Sequence, residues 1–397
     1  MSGDEIQRFR AVLFFLGLDQ STTGRAVCSW TLFVFFTAVV PAVETLWSSC
    51  ETCDEERRHP FHRLVEYGQS AFAAVAFLCL STIIQKFGLR KVLLLDRIDE
   101  YSVEVRRSYE VELNNSFKLL LWILLPCFVV ELTHKIWLFR YIYFEFPFHM
   151  RDPLFDIFMC AGNVLAWLYK STVFLFVCVL FRLLCSLQLL RLREYIKLVE
   201  GTTDVLVILQ EHLRIREQLS IISHRFRVFL VLSIFLITFS QLYSLLVISD
   251  SQDTLHFMSA GDLLVCSAVQ LSGFVICVYG AVKITHRAQE LNSVVTQWHA
   301  VVTCNYKPSM YSAEPAQTLQ GGSSDLEAPL IPSKRPAQNP MSIEEFYKRE
   351  SLVNYLQHSK SGISLFGYTL DRGFLYAVFG IELTLTTFIL GETLLHE

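Results

Sequence analysis

Charged residues are scarce in this 397-residue chain. Asp, Glu, Lys and Arg make up 18% of it, against roughly 25% in soluble domains, while hydrophobic residues reach 52%. The net charge is only −4 at neutral pH, so the composition gives no sign of a nucleic-acid-binding surface. With 32 phenylalanines, the chain is also too apolar to remain disordered. The scarcity of charged residues and the abundance of hydrophobic ones exclude an ordinary soluble protein and predict an integral membrane protein.

Catalytic signatures are absent as well. The sequence holds no HExxH, GxSxG, P-loop or dinucleotide-binding motif. No internal repeat is apparent, which argues against a transporter built from inverted halves. An enzyme is therefore the least favoured class, and no cofactor or metal is expected.

The N-terminus does not have the pattern of a cleavable signal peptide. The polar stretch MSGDEIQRFR precedes AVLFFLGLD, which is too short to span a bilayer and has no small-residue cleavage site. Because Arg8 and Arg10 lie beside the apolar run, we expect a short amphipathic helix on the membrane surface.

Seven segments reach the roughly 20 apolar residues that a transmembrane helix needs. They are 26–47, 64–84, 117–138, 155–180, 228–248, 259–282 and 373–395. The second is the weakest, since it opens with Glu66 and Gln69. The predicted fold class is all-α, a seven-transmembrane helical protein.

Basic residues lie mostly on one side of these spans. Of the 34 Lys and Arg residues, 27 fall in the N-terminal tail and in the connections after spans two, four and six, against six on the other side. Because cytoplasmic flanks carry the excess, the N-terminus is predicted in the cytoplasm and the C-terminus outside. The N-glycosylation sequon at Asn114 then lies on the cytoplasmic side, where it is not glycosylated. We therefore interpret it as a chance match.

The chain divides into four predicted regions. Residues 1–25 form a cytoplasmic tail, and 26–305 hold six spans with cytoplasmic helical extensions. Residues 306–340, rich in Pro, Ser, Gly and Ala, are predicted to be a disordered linker. Residues 341–397 hold a cytoplasmic helix and the seventh span. The extension 183–224 has helical periodicity interrupted at Gly201–Asp204, and the extensions together predict a bundle that is either a folding support or a subunit interface.

Cys50 and Cys53 stand apart from the cysteines inside the spans. They lie in the first outer loop, an oxidising location under this topology, which makes a local disulfide plausible. A zinc half-site with His59 and His62 is a less favoured alternative.

Two ionisable residues lie at membrane depth. Lys170 in the fourth span and Glu382 in the last span reach overlapping depths, which predicts an intramembrane ion pair. The alternative is that Lys170 extends toward the surface and only stabilises packing.

Carboxylates also occur near the outer ends of four spans. With Trp137 and Trp167 as apolar walls, they predict a small-molecule pocket, the alternative being an aromatic belt with interfacial carboxylates. These carboxylates are Glu44, Glu131, Asp156 and Glu392.

The last span has one polar face. Thr384, Thr387 and Gly391 are spaced i, i+3 and i+7, and Glu382 and Glu392 belong to the same helix. In a monomer such a stripe would hydrogen-bond to neighbouring helices. Around a symmetry axis, it would form rings of hydroxyls and carboxylates that favour cations. These five residues are the predicted pore lining.

A family resemblance favours the pore around a symmetry axis over packing within a monomer. The seven-span architecture with its long fourth helix resembles the insect odorant and gustatory receptors. Two segments resemble the land-plant gustatory-receptor-like proteins, a family of unknown function. These segments are FFLGLDQS and SGISLFGYTLDRGFLYAVFGIELTLTTFILGETLL. The resemblance implies a tetrameric ligand-gated cation channel, with an anchor formed by 183–224, 284–305 and 342–362. Insect gustatory receptors have a Thr-Tyr pair and a later Gln in this helix, where the present chain has Thr384, Leu385 and Gly391.

The combined prediction is a ligand-gated cation channel or chemoreceptor-like protein of the plasma membrane or an endomembrane. It would form a homo-oligomer in the lipid bilayer, bind an unidentified small molecule and bind no nucleic acid. The alternative is a non-conducting scaffold or signalling protein that acts through its cytoplasmic bundle.

Overall fold

The computed structural model describes residues 11–14, 16–20, 22–47, 60–92, 103–144, 153–201, 204–250, 257–303, 343–359 and 362–395. The predicted linker 306–340 and the cysteines Cys50 and Cys53 lie outside these ranges, so their states remain predictions. Within the described part, the chain is helical apart from short turns and one two-stranded hairpin.

The helices follow the apolar runs of the sequence. In chain order the elements are α1 (Thr23–Val34), a π-helical turn (Phe35–Val39), α2 (Val40–Trp47), α3 (Pro60–Val92), α4 (Val103–Phe144), α5 (Pro153–Gly201), α6 (Val205–Asp250), α7 (Phe257–Thr303), α8 (Ile343–His358), β1 (Ser364–Leu365), β2 (Tyr368–Thr369) and α9 (Arg372–Leu395). Helices α5, α6 and α7 have 49, 46 and 47 residues. At about 1.5 Å per residue each is roughly 70 Å long, more than twice the hydrocarbon thickness of a bilayer. A large part of each must therefore extend beyond the membrane.

Six described helical segments are long and apolar enough to cross a membrane. They are Thr23–Val43, Val65–Lys86, Arg107–Trp137, Ile157–Gly201, Val205–Tyr243 and Val265–Ala300. The chain is thus a multi-pass membrane protein. The seventh predicted span falls on α9, whose described apolar part is Arg372–Ile381.

The chain forms two compact units. The first, called here the membrane unit, comprises Met1–Leu190, Leu219–Thr285 and Gly362–Glu397. The second unit comprises Arg191–Gln218 and His286–Ser361. Its ranges overlap those predicted for the anchor, and its role as an anchor remains a prediction.

Helix α5 is the most deeply buried span of the membrane unit, which fits its hydropathy, the highest of the six. Its Phe174 ring lies 5.2 Å from the ring of Phe72 on α3 and 6.3 Å from that of Phe229 on α6. Gly273 lets α7 approach α5, because a Cβ there would lie 2.6 Å from the Phe174 ring. The core is therefore arranged around the middle of α5.

The turn after the first apolar patch packs two of its leucines against protein. Leu13 and Leu18 are buried, and Leu18 N donates to Leu13 O at 2.8 Å. Gly17, at φ +65°, closes this turn in the left-handed conformation that glycine adopts at helix ends. A Cβ at Gly17 would lie 2.7 Å from a methyl group of Leu32. The predicted surface helix stays a prediction, because Arg8 and Arg10 lie outside the described residues.

The break that the sequence predicted lies within the first segment of the second unit, Arg191–Gln218. Helix α5 ends at Gly201, and the Asp204 carboxylate accepts a hydrogen bond from Leu206 N at 2.9 Å, capping α6. This prediction is confirmed. The polar part of α6 buries Ile208, His212 and Ile215, whereas Leu206 and Leu213 are exposed. The second unit thus has an apolar face left uncovered by the described residues.

A hairpin connects the chain to the last helix. Ser364 pairs with Thr369 and Leu365 with Tyr368, while Phe366 (φ +49°) and Gly367 (φ +95°) form the turn. Positive φ at both central residues is typical of a type I′ turn, and it is costly for a bulky side chain such as phenylalanine.

Two side chains hold the hairpin in the membrane unit, and a third caps the helix after it. Ile363 N donates to the Thr285 hydroxyl at 3.2 Å, and Ser364 N donates to the Ser223 hydroxyl at 3.1 Å. Asp371 caps α9 by accepting from Phe374 N at 2.9 Å. The start of α9 is therefore tied to α6 and α7.

Candidate functional site

An ion pair lies inside the membrane unit. The Lys170 Nζ of α5 donates to the Glu66 Oε1 of α3 at 2.7 Å. The Lys170 side chain is 1% exposed and that of Glu66 is 16% exposed. A charge at this depth is expensive unless it is paired, and intramembrane ionisable residues commonly mark functional sites.

Glu66 is the described partner of Lys170, and the predicted pair with Glu382 stays a prediction. Glu382 was the predicted partner, and its side chain lies outside the described residues. Glu66 had been noted only as a weakness of the second span. Depth along a helix axis does not say which neighbouring helix faces Lys170, so depth alone does not choose between the two carboxylates.

Polar side chains from three helices surround this pair. Gln69, one turn after Glu66 on α3, contacts the Cys266 thiol of α7 through its amide nitrogen. A cavity of about 20 Å³ separates the three helices here, enough for one or two water molecules. Its lining residues are Gln69, Phe72, Lys170, Ser171, Phe174, Cys266, Val269 and Gln270. We call these residues, with Glu66, the Lys170 site.

Several hydrogen-bonding atoms at and near this site have no partner among the described residues. The Oε1 atom of Gln270, on the cavity wall, is one of them. Nε1 of Trp167 and both amide atoms of Asn163 are buried and equally unpartnered. Asn163, Trp167 and Lys170 are spaced i, i+4 and i+7, so they lie on one face of α5. An unsatisfied buried polar atom costs about 1–3 kcal/mol, so these atoms favour a polar guest.

The site can therefore do two things chemically. Its charges and amides offer both donors and acceptors, and Phe72, Phe174 and Val269 give it apolar walls. This combination of apolar lining and a few polar groups is characteristic of small-molecule sites. A guest larger than water needs side chains to move, since the cavity is small.

The other predicted pocket residues are only partly described. Glu131 and Trp167 are buried, and Trp137 is more exposed. The side chains of Glu44 and Asp156 lie outside the described residues, as does that of Glu392. By helical spacing, Trp167 and Asp156 fall on the face of α5 that carries Lys170. The prediction of an outer pocket from all of these residues is not tested by the structure.

Two of the five predicted pore residues are described in full. Thr384 donates its hydroxyl to Gly380 O at 2.8 Å, and Thr387 donates to Leu383 O at 3.0 Å, both within α9. Both threonines are exposed in the single chain, as are Ile381 and Leu383. The side chains of the other three residues, Glu382, Gly391 and Glu392, are outside the description. In one chain, the described part of α9 thus leaves a surface that lipid or other subunits can cover.

The fold defines a class of protein. Over 97% of this chain and 99% of the other, it matches the structure of the insect olfactory receptor OR5 from Machilis hrabei, with a TM-score of 0.60 and 11% sequence identity. The structure of the same receptor in complex with eugenol matches over 98% of both chains, with a TM-score of 0.58 and 11% identity. The chain therefore shares the helical fold of this solved membrane protein.

The family is shown by the sequence itself. Residues 4–381 match the family described as "Protein of unknown function (DUF3537)", and the chain belongs to this family. Among curated proteins, none matches the sequence.

Proposed function

We propose that this protein is a chemoreceptor-like, ligand-gated cation channel whose subunits assemble around the last helix. In this arrangement α9 is the seventh span, the N-terminus is cytoplasmic and the C-terminus is outside. The observation that carries the proposal is the Lys170 site, in which a charged pair and unpartnered amides lie inside the membrane unit. The receptor fold supports it, because a protein of that fold has been solved with a small molecule, eugenol.

Assembly is supported by two exposed apolar surfaces. Leu206 and Leu213 are exposed on the second unit, and Ile343 and Tyr347 of α8 are exposed there too. Apolar residues on a second face of a polar helix favour a subunit contact. In the proposed oligomer, the exposed threonines of α9 face the axis together with Glu382 and Glu392.

Ion flux into proteoliposomes tests the proposal. Purified protein should pass monovalent cations when a small amphipathic ligand, screened with eugenol as the first probe, is added. Glu66→Gln should change the ligand response while the single-particle image of the protein stays the same. Glu382→Gln should lower the preference for cations over anions, because a carboxylate ring would be lost.

Glu345→Gln serves as the control, since Glu345 is exposed on α8 and belongs to neither proposed site. Flux that is insensitive to Glu382→Gln and to every probe, from a protein imaged as a monomer, would refute the channel.

A non-conducting scaffold is the second candidate, and the same exposed apolar face of the second unit favours it. The two functions are separated by Leu206→Glu combined with Leu213→Glu. A channel that uses this face for assembly should lose both its oligomeric state and its flux. A scaffold should remain the same size and lose a bound partner instead.

A further inference from the structure

Four cations mark one end of the membrane unit. Each is the first charged residue beside an uncharged apolar stretch, and each lies on a different helix. Arg182 follows 171–181 on α5, Arg227 precedes 228–249 on α6, Lys283 follows 263–282 on α7, and Arg372 precedes 373–381 on α9. Such positions correspond to the boundary between hydrocarbon and headgroups.

Contacts within the membrane unit show that these four boundaries lie at the same end of it. A Cβ at Gly280, one turn before Lys283, would lie 3.4 Å from the backbone of Arg182. Ser223, one turn before Arg227, bonds the hairpin, as Thr285 does from α7. The hairpin leads directly into Arg372. The four cations therefore lie on adjoining elements around the hairpin.

Among the described residues, no carboxylate pairs with any of the four cations. The guanidinium of Arg227 instead lies 5.1 Å from the centre of the Phe366 ring, and the Lys283 ammonium lies 5.6 Å from that of Tyr279. The nearby Asp371 carboxylate accepts from Phe374 N as the cap of α9. The four cations outnumber the one carboxylate beside them, so the charge of this end is positive.

The hairpin adds exposed aromatic rings to this charge. Phe366 is 64% exposed and Tyr368 is 78% exposed, although a large ring at φ +49° is disfavoured. Glycine would fit this turn position without strain. An exposed ring kept at a conformational cost indicates a use for the ring, and aromatic rings at the membrane interface serve as anchors.

We propose that the hairpin and its four cations form a binding site for the phosphate headgroup of an anionic phospholipid. Arg227, Lys283, Arg372 and Arg182 attract the phosphate, while Phe366 and Tyr368 enter the interfacial layer beside the acyl chains. The bound lipid then holds the hairpin, and with it the start of α9, at the membrane surface. This inference stands whether or not the protein conducts ions, since it needs only a membrane-embedded chain.

The test measures lipid retention by native mass spectrometry of the full-length protein released from detergent. The probes are dioleoyl phosphatidylglycerol and dioleoyl phosphatidylcholine, titrated separately. The expected result is tighter binding of phosphatidylglycerol to the wild type. The affinity for phosphatidylglycerol should fall about fivefold for each cation replaced by glutamine, which is the usual contribution of one basic residue near an anionic surface. For Arg227→Gln, Lys283→Gln and Arg372→Gln together, the affinity should fall roughly a hundredfold.

Arg287→Gln is the matched control. It lies four residues after Lys283 and is similarly basic and exposed, but its guanidinium is paired with Glu290 at 2.8 Å. Its replacement should leave lipid retention unchanged. Phe366→Gly removes the ring and relieves the backbone, so a drop in retention there cannot come from a misfolded turn.

Three results would overturn the proposal. Equal retention of the two lipids would make this end an ordinary membrane boundary. Unchanged retention in both the triple variant and Phe366→Gly would place the lipid elsewhere. Displacement of phosphatidylglycerol by millimolar inorganic phosphate would show that the site binds free phosphate rather than a membrane lipid.

Discussion

Breaking the Lys170–Glu66 pair should destabilise the protein far more than breaking a surface pair of the same chemistry. Lys170→Met keeps the length of the side chain but leaves the Glu66 carboxylate inside the membrane unit without its cation. Removing one partner of a buried pair typically costs about 3–5 kcal/mol, because the remaining charge is uncompensated. We expect a loss of that size for Lys170→Met and a similar one for Glu66→Met.

The double variant distinguishes this reasoning from simple loss of packing. With both charges replaced by methionine, no uncompensated charge remains, and replacement of a buried pair by apolar residues is often close to neutral. The double variant should therefore be more stable than either single variant. The coupling energy follows from a double-mutant cycle measured by unfolding in mixed SDS–detergent micelles, followed by intrinsic fluorescence.

The chain offers a matched control in Lys197 and Glu194. Their charged atoms are 2.9 Å apart, almost as in the buried pair, but the Lys197 side chain is 61% exposed. Exposed pairs contribute about 0–1 kcal/mol, so the same cycle there should give little. The reasoning is refuted if Lys170→Met costs no more than Lys197→Met, or if the double variant is as unstable as the singles.

Three further predictions concern packing. Gly17→Ala should destabilise the protein by about 1 kcal/mol or more in a thermal unfolding assay, because φ is +65° and the new Cβ would meet a methyl group at 2.7 Å. Gly24→Ala is the control: open space surrounds Gly24, so this change should be neutral or stabilising in the same assay. Gly273→Ala should lower the melting temperature by pushing α7 from α5, while Gly162→Ala in an open position of α5 should not; equal shifts would contradict close packing at Gly273. Thr285→Val removes the hydroxyl that accepts from Ile363 N and should speed amide hydrogen exchange in the hairpin while sparing α5; unchanged exchange would mean that this bond does not hold the hairpin.

The sequence predicted those parts of the fold that depend on local chain properties. Apolar runs of spanning length became helices, and the break at Gly201–Asp204 became a helix end and an Asp cap, because both depend on nearby residues. The likeness to insect odorant receptors is confirmed at the level of the fold. The turn at Gly17 was missed as a packed element, since burial of Leu13 and Leu18 depends on which helix comes to lie beside them.

The sequence singled out only one member of the buried ion pair. An isolated lysine inside an apolar run is visible in the sequence, and its role in a site stays a prediction. Its partner was missed because Glu66 and Gln69 were counted as flaws of a weak span. A usable signal was present in their spacing, since a carboxylate and an amide three residues apart share one face of a helix. Which helix that face meets is a long-range property that spacing does not contain.

The sequence distance between the two partners has a consequence for how the protein is made. Glu66 and Lys170 are separated by 104 residues, and at a synthesis rate of about 5–20 residues per second the cation is made roughly 5–20 s after the carboxylate. Of the six apolar segments, the one that carries Glu66 has the lowest hydropathy. We therefore expect this helix to insert less readily than the other five until its counter-ion has been made. Maturation of this membrane protein is thus expected to include a delay, and a chain stalled before residue 170 should present its second span to quality control.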